Sequence, residues 1–173
     1  SWRVFGAEFG EDIAFPFLAT EPGFQLEDGS VAPGTTFTFV VPDALTIWDG
    51  TGFDPTTATM TIGFGPDTTT TGTTFIAGFD FTADGGGGLH DHFDLSINGD
   101  GGDPANGVYL LPLVIAGKEG SLGGTDTFWF VMNLGSPEVD HEAATDWVLD
   151  NLAGAPCPND VNGDGDVGFD DLV

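Results

Sequence analysis

Short apolar runs separated by glycine and proline turns are the feature that most constrains this fold. Runs of this length between turn residues are typical of β-strands, because helices need a longer apolar periodicity. Eight runs predict strands: 2–9, 36–41, 44–48, 58–64, 73–81, 89–97, 107–116 and 127–134. Their number and spacing predict a mainly β protein, a β-sandwich that is jelly-roll-like. The threonine run 68–74 is interpreted as a polar loop.

The predicted strands are of two kinds. In 57–64, Ala58, Met60 and Ile62 alternate with threonines, which is typical of a strand with one buried face. The runs 108–115 and 128–132 are apolar on both faces, so each needs a cover on two sides. Two covers stay open, a second subunit or another part of the same chain.

A helix of about 137–153 provides one candidate cover. Ser136-Pro137-Glu138 predicts its start, with Ser136 as N-cap and Pro137 as the first helical residue, and Gly154 can close its end. At a helical period the apolar side chains share one face: Val139, Ala143, Ala144, Trp147, Val148 and Leu152. The sequence therefore predicts one C-terminal helix packed against the sandwich.

The segment 159–173, N-D-V-N-G-D-G-D-V-G-F-D-D-L-V, spaces oxygen ligands as a calcium loop does. Such a loop takes ligands from positions 1, 3, 5, 7, 9 and 12, with glycine at position 6 for the turn. Counting from Asp160 places Gly165 at the turn. The candidate calcium ligands are Asp160, Asn162, Asp164, Asp166 through its carbonyl, and Asp171.

This segment resembles the first repeat of a type I dockerin. The pattern D-V-N-G-D-G-x-V-x-x-x-D-L is met from Asp160 to Leu172, and Asp171 stands where dockerins close the loop with aspartate. The resemblance covers about a tenth of the chain and only one of the two repeats of a dockerin. It implies a short EF-hand-like loop with calcium as cofactor, and a bacterial extracellular setting.

Composition divides the chain into a sandwich with its helix at 1–153, a stiff linker at 154–158 and the dockerin-like loop at 159–173. We expect the chain to continue, because the helix that follows a dockerin loop would begin at Val173. Cys157 is the only cysteine. In a secreted protein it predicts a disulfide to a segment beyond this sequence.

The charge balance limits partners and location. There are 28 acidic residues against Arg3 and Lys118, which gives a formal net charge of −26. Such a surface repels phosphates, so neither nucleic acid nor an anionic membrane is an expected partner. Membrane insertion is not expected either, since no apolar run approaches the roughly 20 residues of a spanning helix. Acidity and calcium chemistry indicate a secreted or cell-surface protein, and the start at Ser1 suits a mature chain.

The run His90-Asp91-His92-Phe93-Asp94 is a candidate transition-metal site. On a strand His90, His92 and Asp94 share one face, and two imidazoles so spaced can chelate zinc or copper. His141, on the expected polar side of the helix, is the candidate third imidazole. The alternative is a solvent-facing polar edge without a metal. The runs H-D-H-F-D-L, G-V-Y-L-L-P-L and F-W-F-V-M-N resemble secreted bacterial β-sandwich domains, some of them linked to metal homeostasis.

Common catalytic motifs are missing from the sequence, so no catalytic residue and no enzyme is predicted. The preferred interpretation is a structural, assembly or attachment protein that self-associates or binds another extracellular protein. Its contacts would come from the apolar strands or from the helix near Trp147. The alternatives are a transition-metal binder that uses His90 and His92, and a carbohydrate-binding module that holds glycans.

Overall fold

The computed structural model describes residues 3–118 and 123–153, which contain thirteen strands and one helix. The strands are β1 (Val4–Glu8), β2 (Leu18–Ala19), β3 (Gly23–Leu26), β4 (Thr36–Val41), β5 (Thr46–Trp48), β6 (Phe53–Pro55), β7 (Thr59–Phe64), β8 (Asp67–Thr70), β9 (Ile76–Thr82), β10 (Leu89–His92), β11 (Asp94–Asn98), β12 (Gly107–Gly117) and β13 (Phe128–Leu134). The helix α1 is Glu138–Asn151. The predicted class, a mainly β sandwich with one C-terminal helix, is confirmed.

The strands form one large sheet and a second layer that packs on it. The large sheet has the order β1-β13-β12-β4-β9, and β5 and β6 extend it beside β12. The second layer contains the sheet β2-β11-β7-β8 and the pair β10-β3. The main core between the layers includes Phe39 of β4, Met60 of β7 and Leu111 of β12. In the large sheet β1 runs parallel to β13, with Glu8 opposite Asn133.

The two central strands are buried on both faces within one chain. Tyr109 and Leu111 of β12 point into the main core, whereas Val108 and Leu110 pack under α1 in a second cluster. β13 is buried along its whole length. The expectation that these strands supply contacts between subunits is therefore wrong for β13 and for the first part of β12, which is covered by the same chain.

The helix is placed as predicted but is rotated relative to the predicted face. It begins after Pro137, which occupies the N-cap position, and no side chain caps it. Ser136 is therefore not the N-cap. Its N–H donates to Oδ1 of Asn133 instead, at 3.0 Å. The residues buried on the sheet are His141, Ala144 and Val148.

This rotation reverses several expected positions. Val139 is 66% exposed and Ala143 is exposed, although both belong to the predicted apolar face. His141, expected on the polar side, is buried. The spacing of His141, Ala144 and Val148 by three and four residues still follows one helical face. The predicted apolar face of the helix is wrong because His141 is buried with polar partners. The sequence does not reveal those partners.

Two other local predictions change. The first part of the threonine run belongs to strand β8, which pairs with β7, and the hydroxyls of Thr61 and Thr70 lie 2.9 Å apart. The predicted strand 89–97 is divided at Phe93 into β10 and β11, which pair with different strands. In the described part of the chain, α1 is too short and too polar to cross a bilayer.

Candidate metal-binding cleft

A cleft of about 630 Å³ opens between the end of β1 and the start of α1. Its polar lining is acidic apart from one imidazole, and its apolar lining includes two aromatic rings. The polar members are Glu8, Glu11, Glu21, Glu138 and His141, and the apolar ones include Phe5, Pro22 and Phe130. Such a lining favours a cation over an anion.

Three of these side chains form a cluster that could hold a metal ion, hereafter the Glu8 cluster: Glu8, Glu138 and His141. Each offers one ligand atom, and these atoms all lie within 4.8 Å of one another. Nδ1 of His141 lies 3.0 Å from Oε1 of Glu8. Within 3–118 and 123–153 this is the one group of three or more such side chains. The cluster joins β1 to the first turn of α1.

The ring of His141 has a fixed orientation. Its Nε2 lies 3.0 Å from the carbonyl oxygen of Val131, which can only accept, so Nε2 carries the hydrogen and donates. In the neutral imidazole Nδ1 then holds the lone pair and faces the Glu8 carboxylate. The ring lies directly against β1, because a Cβ at Gly6 would be 3.4 Å from it, an ordinary contact distance.

The Glu8 carboxylate is oriented by Asn133, its neighbour in β13. The Asn133 amide is buried and donates from Nδ2 to Oε1 of Glu8, at 3.2 Å, and to the carbonyl of Ser136, also at 3.2 Å. β13 therefore orients two members of the Glu8 cluster, through a side-chain amide and a backbone carbonyl. Groups of this kind behind metal ligands hold them in place and set their tautomer.

Two acceptors that face each other at 3.0 Å repel unless a cation or a proton lies between them. Zinc binds histidine nitrogen and carboxylate oxygen at 2.0–2.2 Å, so two ligands in tetrahedral geometry stand about 3.4 Å apart. The observed Nδ1–Oε1 distance is within a few tenths of an ångström of that value. Zinc or a similar ion fits between the two groups with a small adjustment, and Glu138 is within reach as a third ligand.

The predicted histidine site is divided between two places. His90 and His92 lie together on the exposed face of β10, with their Nε2 atoms 3.2 Å apart. His141 belongs to the Glu8 cluster instead, where Val131 and Glu8 hold it. Asp94 is exposed at the start of β11 and forms no group of three ligands with the two histidines.

Asp91 lies between the two histidines and is half-buried. Burial raises the pKa of its carboxyl, and the charges of His90 and His92 oppose that rise. Trp48 of β5 packs against Phe53 and Trp147 with ring centroids 5.2 and 6.2 Å away. It therefore contributes to the contact between β5, β6 and α1.

The calcium candidates Asp160, Asn162, Asp164, Asp166 and Asp171 lie outside the described residues, as does Cys157. Sequence reasoning missed Glu8 and Glu138, since they are ordinary acidic residues far apart in the chain. The alternation of β1 gives no sign that Glu8 would meet a helix 130 residues later. The remaining signal was His141 beside Glu138 and Glu142, an imidazole among carboxylates.

Comparisons with protein-family models, with curated proteins and with solved structures found no match for this chain. The fold and the Glu8 cluster define it as an acidic β-sandwich with a candidate metal-binding cleft.

Proposed function

We propose that this chain is a non-enzymatic binding domain that holds a divalent transition metal, zinc or copper, at Glu8, Glu138 and His141. The observation that carries the proposal is the approach of His141 Nδ1 to Glu8 Oε1 at 3.0 Å while Nε2 is committed to Val131. In the neutral ring, that arrangement leaves a lone pair and a carboxylate facing the same point. A cation there satisfies both groups, and Glu138 completes three protein ligands.

The ligand set favours a transition metal over calcium at this site. Calcium takes six to eight oxygen ligands, whereas imidazole nitrogen suits zinc and copper. Glu8 is part of a sheet strand, and Glu138 and His141 begin a helix that packs on that sheet. Ligands on such elements keep their separation without the metal, which lowers the cost of ordering the site on binding.

The bound metal would have a structural role, and the protein would serve attachment or assembly outside the cell. The acidic surface supports this setting, because a net charge of −26 concentrates cations near the protein. In addition we propose that the segment 159–173 binds calcium and orders the C-terminal end, as its ligand spacing indicates. The chain would then carry two kinds of cation site.

Isothermal titration of zinc into protein stripped with a chelator tests the cleft. Glu8→Gln and Glu138→Gln each remove one charged ligand and keep the side-chain shape. We expect each to weaken zinc binding at least about tenfold. Glu142→Gln is the matched control, because Glu142 is an exposed residue of the same helix turn and lies outside the Glu8 cluster. Equal zinc affinity of all three variants and of the unmodified protein would overturn the proposal.

A separate titration tests the calcium segment and the assembly role. We expect calcium to bind the unmodified chain and to bind Asp164→Ala at least about tenfold more weakly, because position 5 of the loop loses its ligand. Sedimentation of the protein at high concentration then reports self-association. A chain that stays monomeric with excess calcium and zinc contradicts self-assembly and leaves attachment to another molecule as the proposed role.

A further inference from the structure

We propose that His90 and His92 form a second metal site, an exposed two-imidazole chelate on β10 that prefers copper(II). The two residues occupy alternate positions of one strand, so their side chains leave the same face. Their Nε2 atoms are 3.2 Å apart and both side chains are exposed to solvent. This site goes beyond the Glu8 cluster, with which it shares no ligand.

The separation of the two nitrogens matches the bite of one metal ion. With metal–nitrogen bonds of 2.0–2.1 Å, the two ligating nitrogens are about 2.9 Å apart when the nitrogen–metal–nitrogen angle is a right angle. They are about 3.3 Å apart when that angle is tetrahedral. The observed 3.2 Å lies between these values. The distance between the two nitrogens therefore suits a chelate, and each ring has to turn so that its lone pair points at the metal.

A backbone carbonyl fixes the ring that contributes the first nitrogen. Nδ1 of His92 lies 2.8 Å from the carbonyl oxygen of Glu21, so Nδ1 donates its hydrogen and Nε2 of the neutral ring holds the lone pair. The Glu21 carbonyl fixes the tautomer of His92 by accepting from its ring, as the Val131 carbonyl does for His141. A ring nitrogen that donates to a carbonyl is the usual support of a metal-binding histidine.

The Glu21 carbonyl is itself held in place by strand pairing. β3 pairs with β10 with His92 opposite Gly23, two residues after Glu21. A Cβ at Gly23 would overlap the carbonyl oxygen of Asp91, so glycine is required for this close approach. Glu21 lies just before β3, so the carbonyl that supports His92 stands next to this paired strand.

Without a metal, the gap between the rings is filled by a hydrogen bond from Nε2–H of His90 to Nε2 of His92. Metal binding replaces that hydrogen, and His90 then carries its proton on Nδ1. Each neutral ring donates one lone pair, so no net proton is released. Copper(II) is favoured because it binds nitrogen ligands more tightly than nickel or zinc.

Copper(II) titration with electron paramagnetic resonance tests the site on the full chain. We expect the unmodified protein to show two equatorial nitrogens from this site. His90→Ala and His92→Ala should each leave one nitrogen and weaken copper binding at least about tenfold, because the chelate is lost. Asp100→Asn is the control, an exposed acidic residue outside the site that should keep both the spectrum and the affinity.

The two metal sites are distinguished by the variants that abolish each of them. Glu8→Gln with Glu138→Gln should remove zinc binding in the cleft and leave the two-nitrogen copper signal, and the histidine variants should do the reverse. Circular dichroism checks that His90→Ala and His92→Ala stay folded, as exposed substitutions should. An unchanged copper affinity and spectrum in both histidine variants would overturn the proposal and leave the pair as a hydrogen-bonded surface feature.

Discussion

The imidazole of His141 faces the carboxylate of Glu8, with Nδ1 and Oε1 3.0 Å apart at the junction of α1 and β1. The two residues are 133 positions apart in the chain and meet because β13 positions both. Asn133 donates to Glu8 from one face of the junction, and the Val131 carbonyl accepts from His141. A cation at this point therefore connects an edge strand to the helix that covers the sheet.

This connection predicts that zinc stabilises the fold. A ligand that binds only the folded state adds about 2.7 kcal/mol to the free energy of unfolding at a hundred times its Kd. We expect the unmodified, metal-stripped protein to unfold at a higher temperature in excess zinc, and a chelator to reverse the shift. Differential scanning calorimetry measures both. Glu138→Gln should lose most of the shift, whereas Glu142→Gln should keep it, and equal shifts in the two variants would contradict the assignment.

The rotation of α1 predicts that alanine substitutions at two valines of that helix differ in their cost to stability. Val148 is 0% exposed and packs with Val108, Leu110 and Trp129. Val148→Ala should lower the free energy of unfolding by roughly 1.5–3 kcal/mol, through lost burial and a residual cavity. Val139 is exposed, so Val139→Ala should change it by less than about 0.5 kcal/mol. Urea unfolding measures both changes. Equal losses of unfolding free energy would contradict the observed rotation and support the apolar face that the sequence predicted.

The larger elements of the fold were predictable from the sequence because each carries a local signal. The runs that became β4, β7, β12 and β13 have apolar periodicities that match their burial, and β12 and β13 needed covers because both of their faces are apolar. β2, β3 and β6 have two to four residues, too few for a period to be recognised. Their pairing depends on the neighbours that the fold provides.

The candidate site was only partly predictable, for a related reason. The pair His90 and His92 is a local feature of one strand, so its shared face follows from the period of a strand. The Glu8 cluster depends on the parallel pairing of β1 with β13 and on the rotation of α1, and both are set by tertiary packing. A buried histidine also looks like a polar surface residue in sequence until its partners are known.

The pH dependence of one turn follows from the bonds of Asp84. Its Oδ1 accepts from the backbone N–H groups of Gly88 at 3.0 Å and Gly86 at 2.7 Å, which lower the pKa of its carboxyl below the usual 3.8. The ionised form is the one that these bonds favour. Its stabilisation is therefore fully present above pH 3.8 and is lost as the pH falls through the lower folded-state pKa.

The variant Asp84→Ala should accordingly be less stable than the unmodified protein near neutral pH, and the difference should shrink below pH 3.8. Urea midpoints at a series of pH values from 6 down to about 2.5 measure the difference. Asp100→Ala is the control for the removal of one negative charge, since Asp100 is also an exposed turn residue. A difference that stays constant down to the lowest pH would contradict a role for the ionised carboxylate.

Two glycines with the same φ angle predict different costs of substitution. Gly87 and Gly101 both have φ of +77°, which disfavours any side chain by roughly 1–2 kcal/mol. A Cβ at position 101 would meet nothing within 4 Å, so Gly101→Ala should cost only that amount.

A Cβ at position 87 would overlap the carbonyl oxygen of Val31, and the backbone N–H of Val31 donates to the carbonyl of Gly87 at 3.3 Å. Because this bond and the one from Gly29 to Gly86 hold the two loops together, Val31 cannot move away freely. We expect Gly87→Ala to lower the free energy of unfolding by at least about 1 kcal/mol more than Gly101→Ala in urea unfolding, and equal costs would show that the two loops separate easily.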